Sequence, residues 1–402
     1  MNVRKVRYFI FLKEVFLLSW TGFGGPQAHL AMFLKVLVQK RAYLSEEALL
    51  EIMALCQILP GPTSTQTITG VAYKVGGASL AYLTLIVWVF PAVLLMTLAA
   101  LLIIHLQNQA IDLHFARFSQ AIAIGFILSA AHQIIDKTIK SKTAIFLMLA
   151  SAIIAYFYHT QWFLPLLILL GGLVTTTKAQ KYPKQKDKNL KIRWRNLSYF
   201  ILIFLVMGLL SELTRKYSFG LPFRLAENFF RTGSVIFGGG QVLVPLMLTE
   251  FVYIKRLVSR EEFDLGYNLN QIIPGPTFAF ASFIGALAME KFGVGGQILG
   301  AFLGAFGVFM PGTLLIFFVM QFWDELKKYR PIRASLEGIN AVSVGLVLTA
   351  VILMAEPIFF KENTLIIFVD IMIISLSYIL LHFTKISPIF IVLGGFLLGW
   401  LW

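Results

Sequence analysis

The chain predicts an all-α polytopic membrane protein built from two inverted homologous repeats. Three observations carry that prediction: the composition, the recurrence of apolar spans, and a glycine/proline motif written twice. Of 402 residues, 58% are hydrophobic and 13% charged, and the mean hydropathy is +0.80; soluble domains hold roughly 45–50% apolar and about 25% charged residues. Apolar spans near 79–104, 115–135, 143–158, 162–177, 197–213, 296–322, 334–355, 364–382 and 387–402 suit a polytopic helical bundle. The alternating strand pattern of a barrel is not visible. The N-terminal MNVRKVRYFIFL looks like a signal sequence, but no small-residue cleavage site follows and Gly24-Gly25-Pro26 interrupts the apolar run, so it reads as mature protein. Cys56 is the single cysteine, which excludes an intramolecular disulfide and any multi-cysteine metal site.

A net charge of +14 raises the question of nucleic acid, and the placement of the basic residues answers it. They lie in loops beside apolar spans. The densest run, Lys178 to Arg195, contains Asp187 as its one acid and reads as a cytoplasmic linker. Counting spans outward from it puts Lys137, Lys140 and Lys142 inside and the lysine-free loop from Gln107 to His114 outside. The N-terminus is then cytoplasmic and the C-terminus external, with most of the 34 Lys and Arg on the cytoplasmic side.

The duplication extends along the whole chain. Phe23-Gly24-Gly25-Pro26-Gln27 matches Phe237-Gly238-Gly239-Gly240-Gln241, and Gln57 to Thr63 (QILPGPT) matches Gln271 to Thr277 (QIIPGPT), both at an offset of 214 residues. Pro91 matches Pro311 and Gly125 matches Gly345 after a short insertion. The expected organisation is a first repeat over 1–177, a basic linker over 178–196, a connecting helix over 197–213 and a second repeat over 214–402. That single connecting helix reverses the second half, which gives the inverted repeats typical of secondary transporters. Two halves in the same orientation are the alternative.

Between Lys13 and Lys74 the apolar pieces are each about 13 residues, or ~20 Å of helix, too short for a ~30 Å hydrocarbon core. Each pair is broken by a glycine/proline turn. Every repeat is therefore expected to hold two broken, re-entrant-like helical hairpins followed by about four transmembrane helices; whether the hairpins span fully stays open. Pro62 and Pro276 suit the first turn of a helix, where the missing N–H costs nothing. The amides that follow, Thr63 to Thr65 and Thr277 to Ala279, are expected to lack intrahelical partners and to carry the positive end of the helix dipole. Such an end attracts anions. Thr63, Ser64, Thr65 and Gln66 add polar side chains in the first repeat, whereas Phe278-Ala279-Phe280 is apolar in the second.

The candidate anion-binding set is Gly24, Gly25, Gln27, His29, Gln57, Gly61, Thr63, Ser64, Arg231, Gly238, Gly239, Gln241, Gln271, Gly275 and Thr277. Arg231 enters because a cation inside an apolar helix is costly unless it faces a cavity or a partner. Asp370 is a candidate for proton coupling. Packing is the competing explanation for the glycines, and it is favoured for Gly300-x-x-x-Gly304. Glu46, Glu47, Glu261 and Glu262 read as first-turn acids, with Ser259 and Glu262 forming a capping box. No phosphate-binding loop, His-Glu-x-x-His, Gly-x-Ser-x-Gly or cysteine/histidine cluster occurs, so no enzymatic role, catalytic residue, metal or cofactor is expected.

Phe-Gly-Gly-Pro-Gln-Ala-His (23–29) with QILPGPT, then Phe-Gly-Gly-Gly-Gln (237–241) with QIIPGPT, resembles the long, two-domain form of the chromate ion transporter family. The resemblance covers essentially the whole chain. It implies an inner (plasma) membrane oxyanion transporter associated with chromate efflux and resistance, with a link to sulfate because both dianions are tetrahedral. The expected partners are that small inorganic oxyanion and the lipid bilayer, with no nucleic acid; a homodimer, uptake or exchange of sulfate, and an anion channel stay open.

Overall fold

The computed structural model describes residues 3–22, 29–30, 32–109, 114–158, 163–177, 194–236, 243–322, 330–360, 364–384 and 386–401. Among these the chain is helical throughout, with no strand. The order is α1 (Val3–Thr21), a π-helix (Leu34–Lys40), α2 (Glu46–Ile58), α3 (Thr63–Asn108), α4 (Ser119–Thr138), α5 (Lys142–Phe157), α6 (Phe163–Thr176), α7 (Arg195–Leu213), α8 (Leu221–Val235), α9 (Leu243–Met247), a second π-helix (Leu248–Ile254), α10 (Arg260–Ile272), α11 (Phe280–Ala288), α12 (Gly293–Val319), α13 (Arg330–Phe359), α14 (Thr364–Phe383) and α15 (Pro388–Leu401). Five described helices are long and apolar enough to cross a bilayer: Thr63–Asn108, Arg195–Leu213, Glu290–Val319, Ala334–Phe359 and Thr364–Phe383. Others, such as Lys142–Phe157 and Pro388–Leu401, are apolar but shorter. The protein is a polytopic membrane protein.

The 214-residue offset seen in the sequence is repeated in backbone detail. Helices α1 and α8 end at Thr21 and Val235, the π-helices cover 34–40 and 248–254, and α2 and α10 cover 46–58 and 260–272. Ala42 and Arg256, also 214 apart, both adopt positive φ, at 49° and 50°. An L-residue held there twice, at equivalent places, marks the same tight exit from the same π-helix. The π-helical turns stand where the short apolar pieces of each repeat suggest plain α-helix. The long helix α3 is broken at Gly77 (φ 77°, ψ −168°), and Gly293 (φ 67°, ψ −171°) makes the matching break before α12.

The chain forms two compact units. The first is 1–104, 190–240 and 273–323; the second is 105–189, 241–272 and 324–402. Each draws on both repeats. In the first, a Cβ on Gly285 would overlap the Gly300 carbonyl and one on Gly304 the Ala281 carbonyl, so α11 and α12 touch backbone to backbone. This is packing by small residues, the force left to helices where lipid removes the hydrophobic drive. In the second unit, Gly125 on α4 would place a Cβ 2.7 Å from Ser377 Cβ of α14, while the matching Gly345 on α13 meets Ser151 Oγ of α5. The two repeats thus trade equivalent contacts. Side chains pointing away from these seams, such as Phe146, Ile153, Phe368 and Met372, are apolar and exposed, as a lipid-facing surface requires.

Candidate functional site

Both PGP turns lie in the first compact unit. Leu59 closes α2 with extended backbone (φ −87°, ψ 149°), and Gly61 follows at φ +123°. Gly275, its counterpart, sits at φ +115°. Both values are closed to most L-side chains and cheap for glycine. The amide of Gly61 donates to the Ile236 carbonyl at 2.7 Å, and the amide of Gly275 donates to the Gly22 carbonyl at 2.7 Å. Ile236 and Gly22 are themselves 214 residues apart, and each immediately precedes a Phe-Gly-Gly motif. Every turn is therefore tied to the helix end of the other repeat. Neighbours are exchanged too: a Cβ on Gly61 would lie 2.9 Å from Gly312 Cα, and one on Gly275 would lie 2.8 Å from Ala92 Cβ, residues that follow the matched Pro311 and Pro91.

The first turn opens α3. Its first helical bond runs from Gln66 N to Pro62 O at 2.8 Å, so the amides of Thr63, Ser64 and Thr65 precede the intrahelical ladder, as expected. Residues 59 to 72 are all buried. Gln66 spends both amide hydrogens on backbone, reaching Pro60 O at 2.9 Å and Gly312 O at 3.0 Å. It staples the turn and is not a donor to a ligand, which corrects its expected contribution. Thr65 Oγ1 and Gln66 Oε1 are buried and meet no partner among the described residues. Beside them a narrow crevice is lined by Leu30, Phe33, Met53, Thr63, Ser64 and Thr67. The second turn differs. Ala279 N bonds Pro276 O at 2.9 Å in a 3-10 turn, so only Thr277 and Phe278 precede the ladder there, one amide fewer than expected. Gly275 and Thr277 are half-buried, and so is Gln271.

His29 is fully buried, its ring edge against Trp88 at 5.1 Å. Its Nε2 lies 3.1 Å from Gly22 O, a carbonyl that only accepts, so Nε2 carries the hydrogen and Nδ1 is a bare acceptor that meets no partner among the described residues. Neutral His29 thus offers an anion no donor. Trp88 Nε1, buried and also without a partner among the described residues, is the donor the sequence did not single out; its counterpart at an offset of 220 is Val308. Arg231 is 3% exposed. Its Nε donates to Glu227 at 2.9 Å and its Nη2 to Asn228 Oδ1 at 3.0 Å, so its charge is offset one helical turn away. Of the remaining candidates, Gly24, Gly25, Gln27, Gly238, Gly239, Gln241 and the Gln57 side chain lie outside the described residues, as do most of the linker residues. Ser259 and Glu262 form the expected capping box, with Ser259 N on Glu262 at 2.8 Å and Glu262 N on Ser259 Oγ at 3.2 Å. Asp370 is buried on α14.

Two matched broken-helix turns, each tied to the other repeat within an apolar multi-helix shell, fit the class of membrane transporters. A family model described as chromate transporter matches residues 9–176 and again residues 223–400, one match per repeat. The chain belongs to the chromate transporter family. It is 25% identical over 389 residues to an uncharacterised transporter of Methanocaldococcus jannaschii, covering 96% of this chain and 92% of that one. It is 23% identical to a chromate transport protein of Pseudomonas aeruginosa (96% and 89% covered) and 25% identical to one of Cupriavidus metallidurans (95% and 90%). No solved structure matches.

Proposed function

We propose that this chain is a secondary transporter that moves a tetrahedral oxyanion, chromate first among them, out of the cell across the plasma membrane. The observation that carries the proposal is the reciprocal tie between the two PGP turns, Gly61 to Ile236 and Gly275 to Gly22, inside one compact unit. It brings both broken-helix N-termini into the same body, where their leading amides would share an anion. Thr63, Ser64, Thr65 and Trp88 supply further donors on the first-repeat side, with Thr277 on the other. Gln27, Gln57, Gln241 and Gln271 flank the turns in sequence.

Reciprocal contacts are what a two-fold relation between repeats produces, and the odd number of crossings contributed by α7 makes that relation an inversion. The juxtapositions within the second unit support this parity: Arg117 and Gln107 beside the lysine-free loop meet Arg260, and His132 near Lys140 meets His382. In each pair both partners fall on the same predicted side. A dianion leaving a cell gains about 2.3 kcal/mol per charge per 100 mV, or ~4.6 kcal/mol, so efflux runs without ATP. The test is flux of labelled chromate, sulfate and molybdate in liposomes holding the purified chain, with and without an imposed potential. Saturable chromate flux that exchanges label across the membrane is expected; flux that never saturates makes the protein a channel, and sulfate moving in preference to chromate reassigns the substrate.

A further inference from the structure

In the second compact unit, away from the PGP turns, a cavity of about 230 Å3 opens between the start of α4 and the first turns of α10. Its wall includes Arg117, Ser119 and Gln120 from one side and Arg260, Glu262 and Asp264 from the other. Asp264 is 1% exposed. Its Oδ2 accepts from Arg260 Nε at 2.9 Å; Arg260 Nη1 donates to Tyr253 Oη at 2.7 Å, and that hydroxyl donates to Leu353 O at 3.0 Å. The ion pair is thereby fixed at one edge and unfinished at the other. Asp264 Oδ1, Arg260 Nη2 and Ser119 Oγ are buried and meet no partner among the described residues. A buried carboxylate with one unpartnered oxygen, on a residue that lines a cavity, is costly to keep charged unless something finishes it.

We propose that Asp264 is a proton-binding site, taking a proton on Oδ1 from water in this cavity and returning it there, and that this proton is coupled to the passage of the anion. The coupling rests on the oxyanion-transport reading; the proton site does not. The electrostatic surroundings favour reversible protonation. Arg260 holds the ionised form and Glu261 on α10 opposes it; Arg117 and Glu262 line the same cavity, and α15, packed on α10, brings no titratable side chain. Burial pushes the Asp264 carboxyl up to about 6 against the pull of Arg260, so it is protonated below that pH and ionised above it. The first repeat has no such group: Glu46 stands where Arg260 does and Leu50 where Asp264 does. A proton site in the second repeat without a counterpart at the matching place in the first gives the duplicated scaffold a chemical direction.

The test uses the full chain in liposomes. Infrared difference spectra taken as pH is stepped should show a buried-carboxyl C=O stretch that vanishes as pH rises through about 6, is absent in Asp264→Asn and shifts frequency in Asp264→Glu. A wild-type band that fails to titrate there, or persists in Asp264→Asn, overturns the site. Where Asp264→Asn does not fold, an unshifted band in Asp264→Glu overturns it equally. With the potential clamped at zero by potassium and valinomycin, chromate movement should follow an imposed pH gradient in the wild type and ignore it in Asp264→Asn. Chromate that moves under a potential but never under a pH gradient overturns the coupling and leaves oxyanion transport standing. Chromate that moves under neither overturns transport and coupling together, and the infrared band still decides the proton site.

Discussion

The amide of Gly61 donates to the carbonyl of Ile236 at 2.7 Å, across the boundary between the two repeats. The turn that defines the first repeat is thus completed by the second, and Gly275 with Gly22 makes the same bond in the other direction. Several experiments bear on what this tie does.

Replacing either turn glycine should disable the protein. At φ +123° and +115° a side chain costs about 1–3 kcal/mol in backbone strain alone, and a Cβ would add a 2.9 Å contact with Gly312 Cα or a 2.8 Å contact with Ala92 Cβ. Gly61→Val and Gly275→Val are expected to lose flux and to melt earlier in detergent. Gly77→Ala has nothing within 4 Å of its Cβ, so it meets only the backbone penalty and should lose less than either.

Hydroxyl deletion separates a binding role from a packing role. Thr65 Oγ1 is buried without a partner among the described residues, so if no ligand uses it, Thr65→Val removes an unsatisfied group and should be neutral or stabilising. If an oxyanion uses it, chromate affinity falls by roughly 1–3 kcal/mol while the melting temperature without chromate holds or rises. Thr63→Val and Thr277→Val should weaken chromate binding by a similar amount. Unchanged affinity in all three, measured by competition for labelled chromate, would move the binding site elsewhere.

The Arg231–Glu227 pair predicts a non-additive result. Side-chain exposures of 4% and 15% place both charges away from water, and breaking such a pair from one side costs about 3–5 kcal/mol. Arg231→Gln should lower folded yield sharply, and adding Glu227→Gln should recover most of it. Transport by the double variant then reads Arg231's part in anion movement free of the folding defect: retained flux makes the arginine structural.

Cys56 is fully buried, out of reach of water and of reagents in the folded protein. A maleimide should therefore label the native protein very slowly at pH 7 and rapidly in SDS. Fast native labelling would mean that the first hairpin opens readily.

Reporter fusions test the inversion. An N-terminal fusion should report cytoplasm and a C-terminal fusion the external side; the same side for both would sink the inverted arrangement.

Much of this architecture is legible in the sequence because breaks are written in residues whose backbone chemistry is special. QILPGPT and QIIPGPT mark both turns, whereas the break at Gly77 inside Thr63–Asn108 is shown by the structure. The π-helices were not legible, since Leu34–Lys40 and Leu248–Ile254 carry no glycine or proline and their widened turns arise from packing. Arg231 looked like a stranded cation because its offset by Glu227, four residues earlier, depends on both side chains facing the same protected surface. Asp264 escaped notice for the opposite reason. In REEFDLGY it reads as one more acid just past the first-turn pair Glu261 and Glu262, and only the fold buries it beside Arg260 and a cavity.

The tie from Gly61 to Ile236 also sets an order of events during synthesis. Its acceptor lies about 175 residues downstream of its donor, and at 5–20 residues per second a ribosome needs roughly 10–35 s to supply it. For that interval a first hairpin that has entered the bilayer would hold its turn amide unpaired, a gap that lipid cannot fill. The slow step of maturation should then be the arrival and docking of α8, and a nascent chain halted before residue 236 should be the form that quality-control proteases remove.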